Sequence, residues 1–535
     1  MLAAAGHWFL KTLNKNSEIK MTKLLLPLAY LLTLTTLAIP VMLVEIPPLL
    51  DYPNHLARMH VLAEGGENPN LNRHYVVSMG LQPNLGMDLI VPPLSRLVPL
   101  EVAGRLFIVL IFAVTLLGVG LVHRALFGQW SLWPLVSSLF LYNAPFLGGF
   151  MNFCLGTGLF LIGVGGWLFL RSSPFWLRSS VAVGTVLILF FCHLLALVFY
   201  GVVVISCEFM LRNEKGYSWK NSALILGQFL LPIILFLYWA AEWGGMDHSS
   251  YAWFGKVRGP LIPLLNYSLF CDIALTSAIG VFLVWGIGRG FIFVNRSMIG
   301  ACLLLVFLFI LSPSSGLTGH WADSRFMVAA AFVLVAMTNI QVLSNHRAWG
   351  CVGILAMVLC IRIWIIADNW NQYEKDLQEY RQAIKQIEPG SRLISAFPDR
   401  RSRDYWRSGP AWRFVFLNMP ALTQLPCLAV IDKSVFYPLL FTHPRQHAVA
   451  VHPSLQSKDL AVSFPPAIDQ LIDKDGFSGP DDTNPWEVNI SLRDFDYLML
   501  VYADYATHMD QVVENQLEPV WLGSHVHLYR VKIGL

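Results

Sequence analysis

The sequence predicts a polytopic α-helical membrane protein with about eleven transmembrane helices and a C-terminal extracytoplasmic α/β domain. Two observations carry this prediction. The 535 residues are 55% hydrophobic and only 13% charged, whereas soluble domains carry about 25% charged residues. Apolar runs that approach the roughly 20 residues needed to cross a bilayer also recur until residue 366 and then stop.

Eleven apolar runs follow one another along the chain. The stretch 180–211 is too long for one span, so we divide it at Cys192-His193 into a short fifth span and a returning sixth. The runs cover 24–43, 102–122, 132–146, 153–170, 180–192, 193–211, 223–241, 272–288, 298–311, 326–342 and 351–366. The first run lacks a small-residue cleavage site and is therefore interpreted as a retained span.

Basic residues concentrate in alternate turns between these spans. The positive-inside rule assigns such turns to the cytoplasm. The turns concerned contain Arg124, Arg171, Arg178, Arg212, Lys215, Lys220, Arg289, Arg296 and Arg347. We therefore expect a multi-pass protein of the bacterial cytoplasmic (inner) membrane, with its N-terminus inside and its C-terminal domain outside.

Two domains are predicted. Residues 1–368 form a transmembrane domain with a large first outer loop over 45–100, and residues 369–535 form the extracytoplasmic α/β domain. In the second domain, apolar residues at 4,3,4,3 spacing predict an amphipathic helix over 369–387. Short apolar runs then predict strands at 392–396, 428–431, 447–451, 497–502 and 526–531.

Composition excludes several functions. The net charge is +3, and no basic stripe interleaved with aromatic residues is present, so nucleic-acid binding is not expected. Seven of the eight cysteines lie in apolar runs, and neither a CxxC pair nor a zinc-finger spacing occurs. A disulfide framework or a structural metal is therefore not indicated.

Polar residues cluster where the chain leaves the first span, in Asp51-Tyr52-Pro53-Asn54-His55-Leu56-Ala57-Arg58. Pro53 is typical of the first turn of a helix, which Asp51 would cap. Asp51, His55 and Arg58 then lie on one helix face, because they are spaced i, i+4, i+7. The alternative is a capped helix at the membrane interface without chemistry.

Other ionisable residues fall on the same predicted outer face. They are Asp88 in the first loop, His193 between the fifth and sixth spans, and His320 and Arg325 at the start of the tenth span. Ionisable groups near a membrane are costly and often mark a site. The alternatives are structural roles: Asp88 as a helix cap, His193 as a buried histidine, and Arg325 as an interfacial anchor with Asp323 as its partner or as a cap.

This layout resembles the GT-C superfamily of membrane glycosyltransferases, which includes protein O-mannosyltransferases and bacterial aminoarabinose transferases. The matching features are the acid Asp51 soon after the first span, the span broken at His193, and Asp323-Ser324-Arg325-Phe326 entering a late span. The large first outer loop and the outer α/β domain also match. The resemblance implies that Asp51 is the catalytic base and that Arg325 holds the phosphate of the donor.

The resemblance further implies a sugar transfer from a polyprenyl-phosphate donor to a glycan, lipid or protein acceptor at the outer face. Further candidates for binding the substrate or the donor phosphate are His320, His55, Arg58, His193 and Asp88. Many relatives carry a second acid directly after the first, where this chain has Tyr52. This departure weakens a metal-dependent mechanism and leaves the donor class open. We expect a direct displacement, and hence an inverting, metal-independent enzyme without a cofactor.

Three other functions remain open at this point. A polysaccharide polymerase that uses lipid-pyrophosphate glycans would need outer arginines, and the chain has them. A lipid or solute transporter or flippase would move its substrate without forming a bond, although the spans contain few of the midplane charges typical of ion-coupled transport. A scaffold that only binds a partner would tolerate loss of Asp51, His55 and Arg325 together.

Overall fold

A computed structural model describes residues 25–211, 219–241, 250–316, 319–340, 345–398, 420–442, 446–458, 460, 464–472, 490–505 and 515–532. Most of these residues are helical. The helices are α1 (Leu25–Leu43), α2 (Tyr52–Glu64), α3 (Pro69–His74), α4 (Gly86–Ser95), α5 (Leu100–Phe127), α6 (Ala144–Leu147), α7 (Met151–Phe169), α8 (Phe175–Cys192), α9 (Leu194–Leu211), α10 (Trp219–Gly227), α11 (Leu230–Ala241), α12 (Trp253–Lys256), α13 (Leu269–Gly288), α14 (Ile299–Leu311), α15 (Ser324–Met337), α16 (Asn345–Lys385), α17 (Leu428–Lys433) and α18 (Ile468–Ile472).

Eight helices in the described ranges are long and apolar enough to cross a membrane. They are Leu25–Leu43, Leu100–Phe127, Met151–Ser172, Phe175–Cys192, Leu194–Leu211, Ala223–Ala241, Leu269–Gly288 and Gly350–Lys385. Three predicted spans coincide with shorter elements, namely the 3₁₀ helix Trp133–Phe140, α14 and α15. The chain thus has the helices of a multi-pass membrane protein, and the total of eleven spans stays a prediction.

The predicted break between the fifth and sixth spans is confirmed. Helix α8 ends at Cys192, and His193 adopts an extended conformation with φ −168° and ψ 126°. Helix α9 begins at the next residue, Leu194. A single extended residue reverses the chain here, which places the His193 side chain at one end of the helix bundle.

The first loop is folded and packs on that same end of the bundle. Its predicted first helix is confirmed as α2, which ends at Glu64 with Gly65 as its C-cap, and Gly66 takes a positive φ of 104°. Its second helix is α4, just before α5. The backbone N–H of Leu85 donates to the carbonyl of Phe191 (2.7 Å), so the loop is tied to the end of α8.

The strands in the described residues are β1 (Tyr75–Val77), β2 (Ile292–Val294), β3 (Ser315–Gly316), β4 (Gly319–His320), β5 (Thr338–Ile340), β6 (Leu393–Ala396), β7 (Val449–Val451), β8 (Tyr497–Val501), β9 (Leu517–Leu522) and β10 (Val526–Val531). Four strands of the C-terminal part form one sheet with strand order β6-β8-β10-β9. Strands β6 and β8 run parallel, and the other neighbours run antiparallel.

Four of the five predicted C-terminal strands are present, and one prediction is wrong. Residues 428–431 form the beginning of helix α17 and not a strand. Strand β7 pairs with β1 of the first loop, outside the four-stranded sheet. The sequence also missed strand β9, which pairs with β10 at the edge of that sheet.

Helix α16 runs without interruption through the predicted domain boundary at 368/369. Its predicted apolar face is buried: Tyr373, Leu377, Tyr380 and Ile384 are each 0% exposed. Helix α16 therefore connects the bundle directly to the C-terminal part, against which the apolar face of its second half packs.

Helix α2 is joined to the C-terminal part through Asn54. The Nδ2 of this buried side chain donates to Oε1 of Gln424 (3.0 Å) and to the carbonyl of Leu439 (2.8 Å). Its Oδ1 accepts from the backbone N–H of Phe441 (2.8 Å). One side chain thus fixes the helix that follows Asp51 against residues 370 to 387 positions later.

Candidate functional site

Asp51 occupies the N-cap position of α2, and Pro53 lies in the first turn. The predicted cap is wrong in one respect, because the Asp51 side chain makes no capping hydrogen bond. Its backbone N–H donates to the carbonyl of Gly148 (3.2 Å). The carboxylate is therefore not used by its own helix.

The turn before α7 lies in close contact with the backbone of Asp51. Asn143 caps α6 by accepting from the backbone N–H of Phe146 (3.0 Å), and Gly149 has a φ of 84°. A methyl group added at Gly149 would lie 2.6 Å from the backbone nitrogen of Asp51. Glycine is required here for its positive φ and for this close approach.

Arg325 lies one residue into α15 and is buried, with 4% exposure. Its guanidinium carbon lies 4.3 Å from the ring centroid of Phe150 and 5.5 Å from that of Phe153. Such rings hold a cation by cation–π attraction. Its Nη1 lies 3.2 Å from Nε2 of His193, so the N-terminal start of α15 contacts the break between α8 and α9.

Asp323 has a different ion-pair partner from the one the sequence indicates. It accepts from Nζ of Lys256 (2.6 Å) and from the backbone N–H of Ser324 (2.8 Å), which is a capping contact at the start of α15. The expected role as a cap is confirmed, but the salt bridge connects to Lys256. The sequence missed Lys256, since nothing marks it as a partner of a residue 67 positions away.

Both nitrogens of His193 face hydrogen-bond donors. The backbone N–H of Leu195 donates to Nδ1 (3.2 Å), and the Arg325 guanidinium approaches Nε2. Burial, with the charge of Arg325, holds the pKa of His193 well below its usual range. A neutral imidazole accepts at only one nitrogen. In the tautomer that accepts from Leu195 at Nδ1, the Nε2–H of His193 and the Arg325 guanidinium are two converging donors.

The electrostatic surroundings of Asp51 come from the same groups. Burial raises the pKa of the Asp51 carboxyl to about 7, against a smaller lowering by the Arg325 charge. The Asp51 charge in turn helps to raise the pKa of the buried Cys427 thiol, after burial itself. Asp51 therefore lies between the bundle and the C-terminal part, with a pKa suited to taking up a proton near neutral pH.

Arg58 and Asp88 form an ion pair inside the first loop. Nη2 of Arg58 lies 2.9 Å from Oδ2 of Asp88, and both side chains are 1% exposed. The N-cap of α4 is Leu85, so the alternative of Asp88 as a cap is wrong. The two opposite charges offset each other, which disfavours the expected role of Arg58 in holding a phosphate.

His55 lies one turn into α2 and faces the C-terminal part. Its ring meets that of Phe441 edge-on, with 5.3 Å between centroids. Burial and the nearby Arg58 charge lower the pKa of His55 well below its usual range. His55 is therefore a neutral group between Asp51 and Arg58.

The side chain of His320 lies outside the described residues, so its expected role is untested.

A cavity of about 10 Å³ lies inside the bundle near the ring of Phe153. It is close to the smallest volume that holds one water molecule. Its lining residues are Ile111, Thr115, Leu141, Asn143, Phe153, Cys154, Thr157, Val328 and Phe332.

Three separate parts of the chain thus meet at one end of the bundle: Asp51 after α1, His193 between α8 and α9, and Arg325 in α15. Sequence reasoning named all three residues but missed Phe150 and Gly149. The sequence signal for these two was the unusual Gly-Gly-Phe before α7.

Among the residues described, no group of three His, Cys, Asp or Glu side chains could hold a metal ion. The chain matches no protein-family model and no curated protein.

Proposed function

We propose that this chain is an integral-membrane glycosyltransferase that moves a sugar from a polyprenyl-phosphate donor to an acceptor hydroxyl at the outer face of a bacterial inner membrane. One observation carries the proposal. A carboxyl with a pKa of about 7 at Asp51 lies within electrostatic reach of Arg325, which itself meets His193. A base and a pair of converging donors are the two parts that such a transfer needs.

The proposed reaction is one displacement with inversion. The acceptor oxygen attacks the anomeric carbon while Asp51 takes the hydroxyl proton. The bond between the anomeric carbon and the phosphate oxygen breaks, and its electrons leave with the phosphate. Arg325 and the Nε2–H of His193 donate to the departing oxygens by charge-assisted hydrogen bonds.

The donor must separate groups that touch in the structure. Nη1 of Arg325 and Nε2 of His193 are 3.2 Å apart, and a phosphate oxygen between them would receive one hydrogen bond from each. The nearby cavity has room for about one water molecule. Binding of a lipid-linked sugar therefore includes an opening movement between α15 and the break at His193.

The test is transfer by the purified protein in lipid nanodiscs, with a panel of radiolabelled polyprenyl-phosphate sugars and, separately, lipid-pyrophosphate glycans. Asp51→Asn is expected to lower the transfer rate about 10²–10⁴-fold. Glu67→Gln is the matched control, because Glu67 is an exposed acid of the same loop, and it should retain the parent rate.

The donor panel also separates the competing functions. Product formation only from lipid-pyrophosphate glycans would favour the polymerase. Movement of labelled lipid across the bilayer without a new bond would favour a flippase. Transfer by Asp51→Asn at the parent rate would refute the proposed base.

A further inference from the structure

Helix α4 of the first loop presents an exposed apolar row. Leu89 is 51% exposed and Leu97 is 82% exposed, and Pro93 between them is exposed as well. The three residues are spaced four apart, so they follow one side of the helix and of the turn after it. The opposite side of α4, which includes Met87 and Val91, is buried. The row therefore faces away from the described part of the protein.

Both ends of α4 are held at the ends of apolar helices. The backbone N–H of Leu85, just before α4, donates to the carbonyl of Phe191 near the end of α8 (2.7 Å). The backbone N–H of Met87 donates to Oδ1 of Asn152 at the start of α7 (2.7 Å). At its other end, α4 is separated from α5 only by residues 96–99. Since α5, α7 and α8 are all long and apolar enough to cross a membrane, α4 lies across the ends of three candidate spans.

The length of α8 gives the level of this crossing. Helix α8 has 18 residues, which is about 27 Å of helix. The hydrocarbon core of a bilayer is roughly 30 Å thick. When α8 spans the membrane, its end at Cys192 therefore lies at the boundary between hydrocarbon and headgroups. Helix α4 is tied to that end, so it lies along the same boundary.

The exposed row of α4 leads along the chain directly into an exposed row of α5. Leu106, Leu110 and Leu117 are 38%, 38% and 45% exposed, and their spacing places them on one face of that helix. Other faces of α5 are buried in the bundle, so in a membrane this face meets lipid. The continuity between the two rows favours lipid as the partner of α4.

Arg96 stands beside the row, next to Leu97, and is exposed. An arginine in this position lays its apolar stem along the lipid while its guanidinium reaches the headgroups. The guanidinium also binds phosphate oxygens by charge-assisted hydrogen bonds. An apolar row with a cation at its end matches the lipid-facing side of a helix that lies in the membrane interface.

We infer that α4 lies in the headgroup region of the bilayer, with Leu89, Pro93 and Leu97 at the acyl boundary and Arg96 on a lipid phosphate. The partner of this surface is the phospholipid bilayer itself. Helix α2, which follows Asp51, packs against α4, so the lipid contact sets the height of Asp51 relative to the membrane surface. Only this last consequence bears on the proposed transfer, and the lipid contact stands without it.

The test measures the depth of single positions in the bilayer. The full-length protein carries p-acetylphenylalanine in place of Leu89 or Leu97, labelled with a nitroxide, which leaves the eight native cysteines unaltered. In nanodiscs of phosphatidylethanolamine and phosphatidylglycerol, oxygen concentrates in lipid and a nickel chelate in water. Leu522 is the matched control, because it is a leucine of the C-terminal sheet with 60% exposure, and Leu106 of α5 is the lipid reference.

We expect the ratio of oxygen to nickel collision rates at both α4 positions to exceed that at Leu522 about tenfold, because an interfacial helix buries its apolar face about 5–10 Å deep. The ratio should approach that at Leu106. A ratio equal to that at Leu522 would place the row in water and overturn the inference. Labels that neither reagent reaches would show a protein partner or a second copy on the row, which also overturns it.

A second measurement uses the unaltered protein. Phospholipids with a diazirine in the acyl chain should cross-link to residues 89–97 and not to residues 517–522, as located by mass spectrometry. Absence of cross-links from 89–97 would contradict the lipid contact.

The role of Arg96 is tested at the labelled Leu97 position. Arg96→Glu places an anion against the lipid phosphates and should shift the collision ratio toward that at Leu522, whereas Arg96→Lys should retain the parent ratio. An unchanged ratio in Arg96→Glu would refute the phosphate contact. None of these readouts uses sugar transfer. A protein that transfers sugar with its α4 row in water refutes only this inference, and an inactive protein with the row in lipid refutes only the transferase.

Discussion

Nε2 of His193 lies 3.2 Å from Nη1 of Arg325, although the two residues are 132 positions apart. The contact brings the break between α8 and α9 to the beginning of α15. The N–H of Leu195 lies 3.2 Å from Nδ1, and a neutral imidazole that accepts there carries its proton on Nε2. In that tautomer the Nε2–H and the Arg325 guanidinium are two donors at one place, an arrangement that suits a phosphate oxygen.

Replacing His193 with Asn is expected to raise the donor KM about tenfold, with a smaller effect on kcat. The variant loses one hydrogen bond to a charged oxygen, worth about 1.5–3 kcal/mol, and part of this loss is recovered by rearrangement of Arg325. Steady-state transfer with varied donor measures the effect. His452→Asn in the C-terminal part serves as control, and an unchanged donor KM in His193→Asn would show that the imidazole does not hold the donor.

Replacing Gly149 with Ala should impair transfer through displacement of Asp51. The added methyl group would lie 2.6 Å from the Asp51 nitrogen, so the start of α2 must shift. Gly128→Ala is the matched control, because Gly128 also has a positive φ (77°) but open space around it. Both variants share the backbone cost of a positive φ, about 1–2 kcal/mol, so thermal stability falls in both. Equal activity of the two variants would contradict the importance of this contact.

Replacing Asn54 with Leu is expected to loosen the C-terminal part from α2. Two buried hydrogen bonds join Asn54 to Gln424 and Leu439, and a part-buried one joins it to Phe441; each buried partner left unsatisfied costs about 1–3 kcal/mol. Hydrogen–deuterium exchange over 420–442 should rise at least tenfold. Asn369→Leu is the control, since Asn369 bonds only to Ile365 one turn earlier among the described contacts. Unchanged exchange in Asn54→Leu would disprove the tether.

The elements that depend on local pattern were predicted well. The break at His193 followed from span length, and the start of α2 followed from Pro53, because both signals lie in the segment itself. Residues 428–431 were misread as a strand, since four apolar residues do not separate a strand from a short buried helix. Strand β1 was missed because its partner, β7, lies more than 370 positions away.

The residues of the candidate site stand out in the sequence, but their ion-pair partners do not. Asp51, His193 and Arg325 stood out because ionisable groups are rare near apolar spans. Arg58 pairs with Asp88, and Lys256 pairs with Asp323, because of the way the loops fold over the bundle. No spacing in the sequence encodes that folding, so the pairs appear only in three dimensions.

The raised pKa of Asp51 also predicts a pH-dependent stability. A carboxyl whose folded pKa of about 7 exceeds its unfolded value near 3.9 stabilises the fold fully below that lower value. This stabilisation is lost as pH rises through about 7. Asp51→Asn lacks this loss. The Tm of the variant minus the Tm of the parent should therefore rise between pH 4 and pH 8 and stay constant above pH 8. Differential scanning fluorimetry measures the gain, which should be missing in Glu67→Gln; a Tm difference that does not vary with pH would refute the raised pKa.

The pH dependence of sugar transfer tests the role of Asp51 most directly. If Asp51 accepts the acceptor proton, kcat/KM should rise with pH as its carboxyl ionises, with a midpoint near 7. The residual activity of Asp51→Asn should show no such rise, while Glu67→Gln keeps it. A parent profile that is flat from pH 5 to 9, or a rise near pH 7 that persists in Asp51→Asn, would contradict a general base at this position.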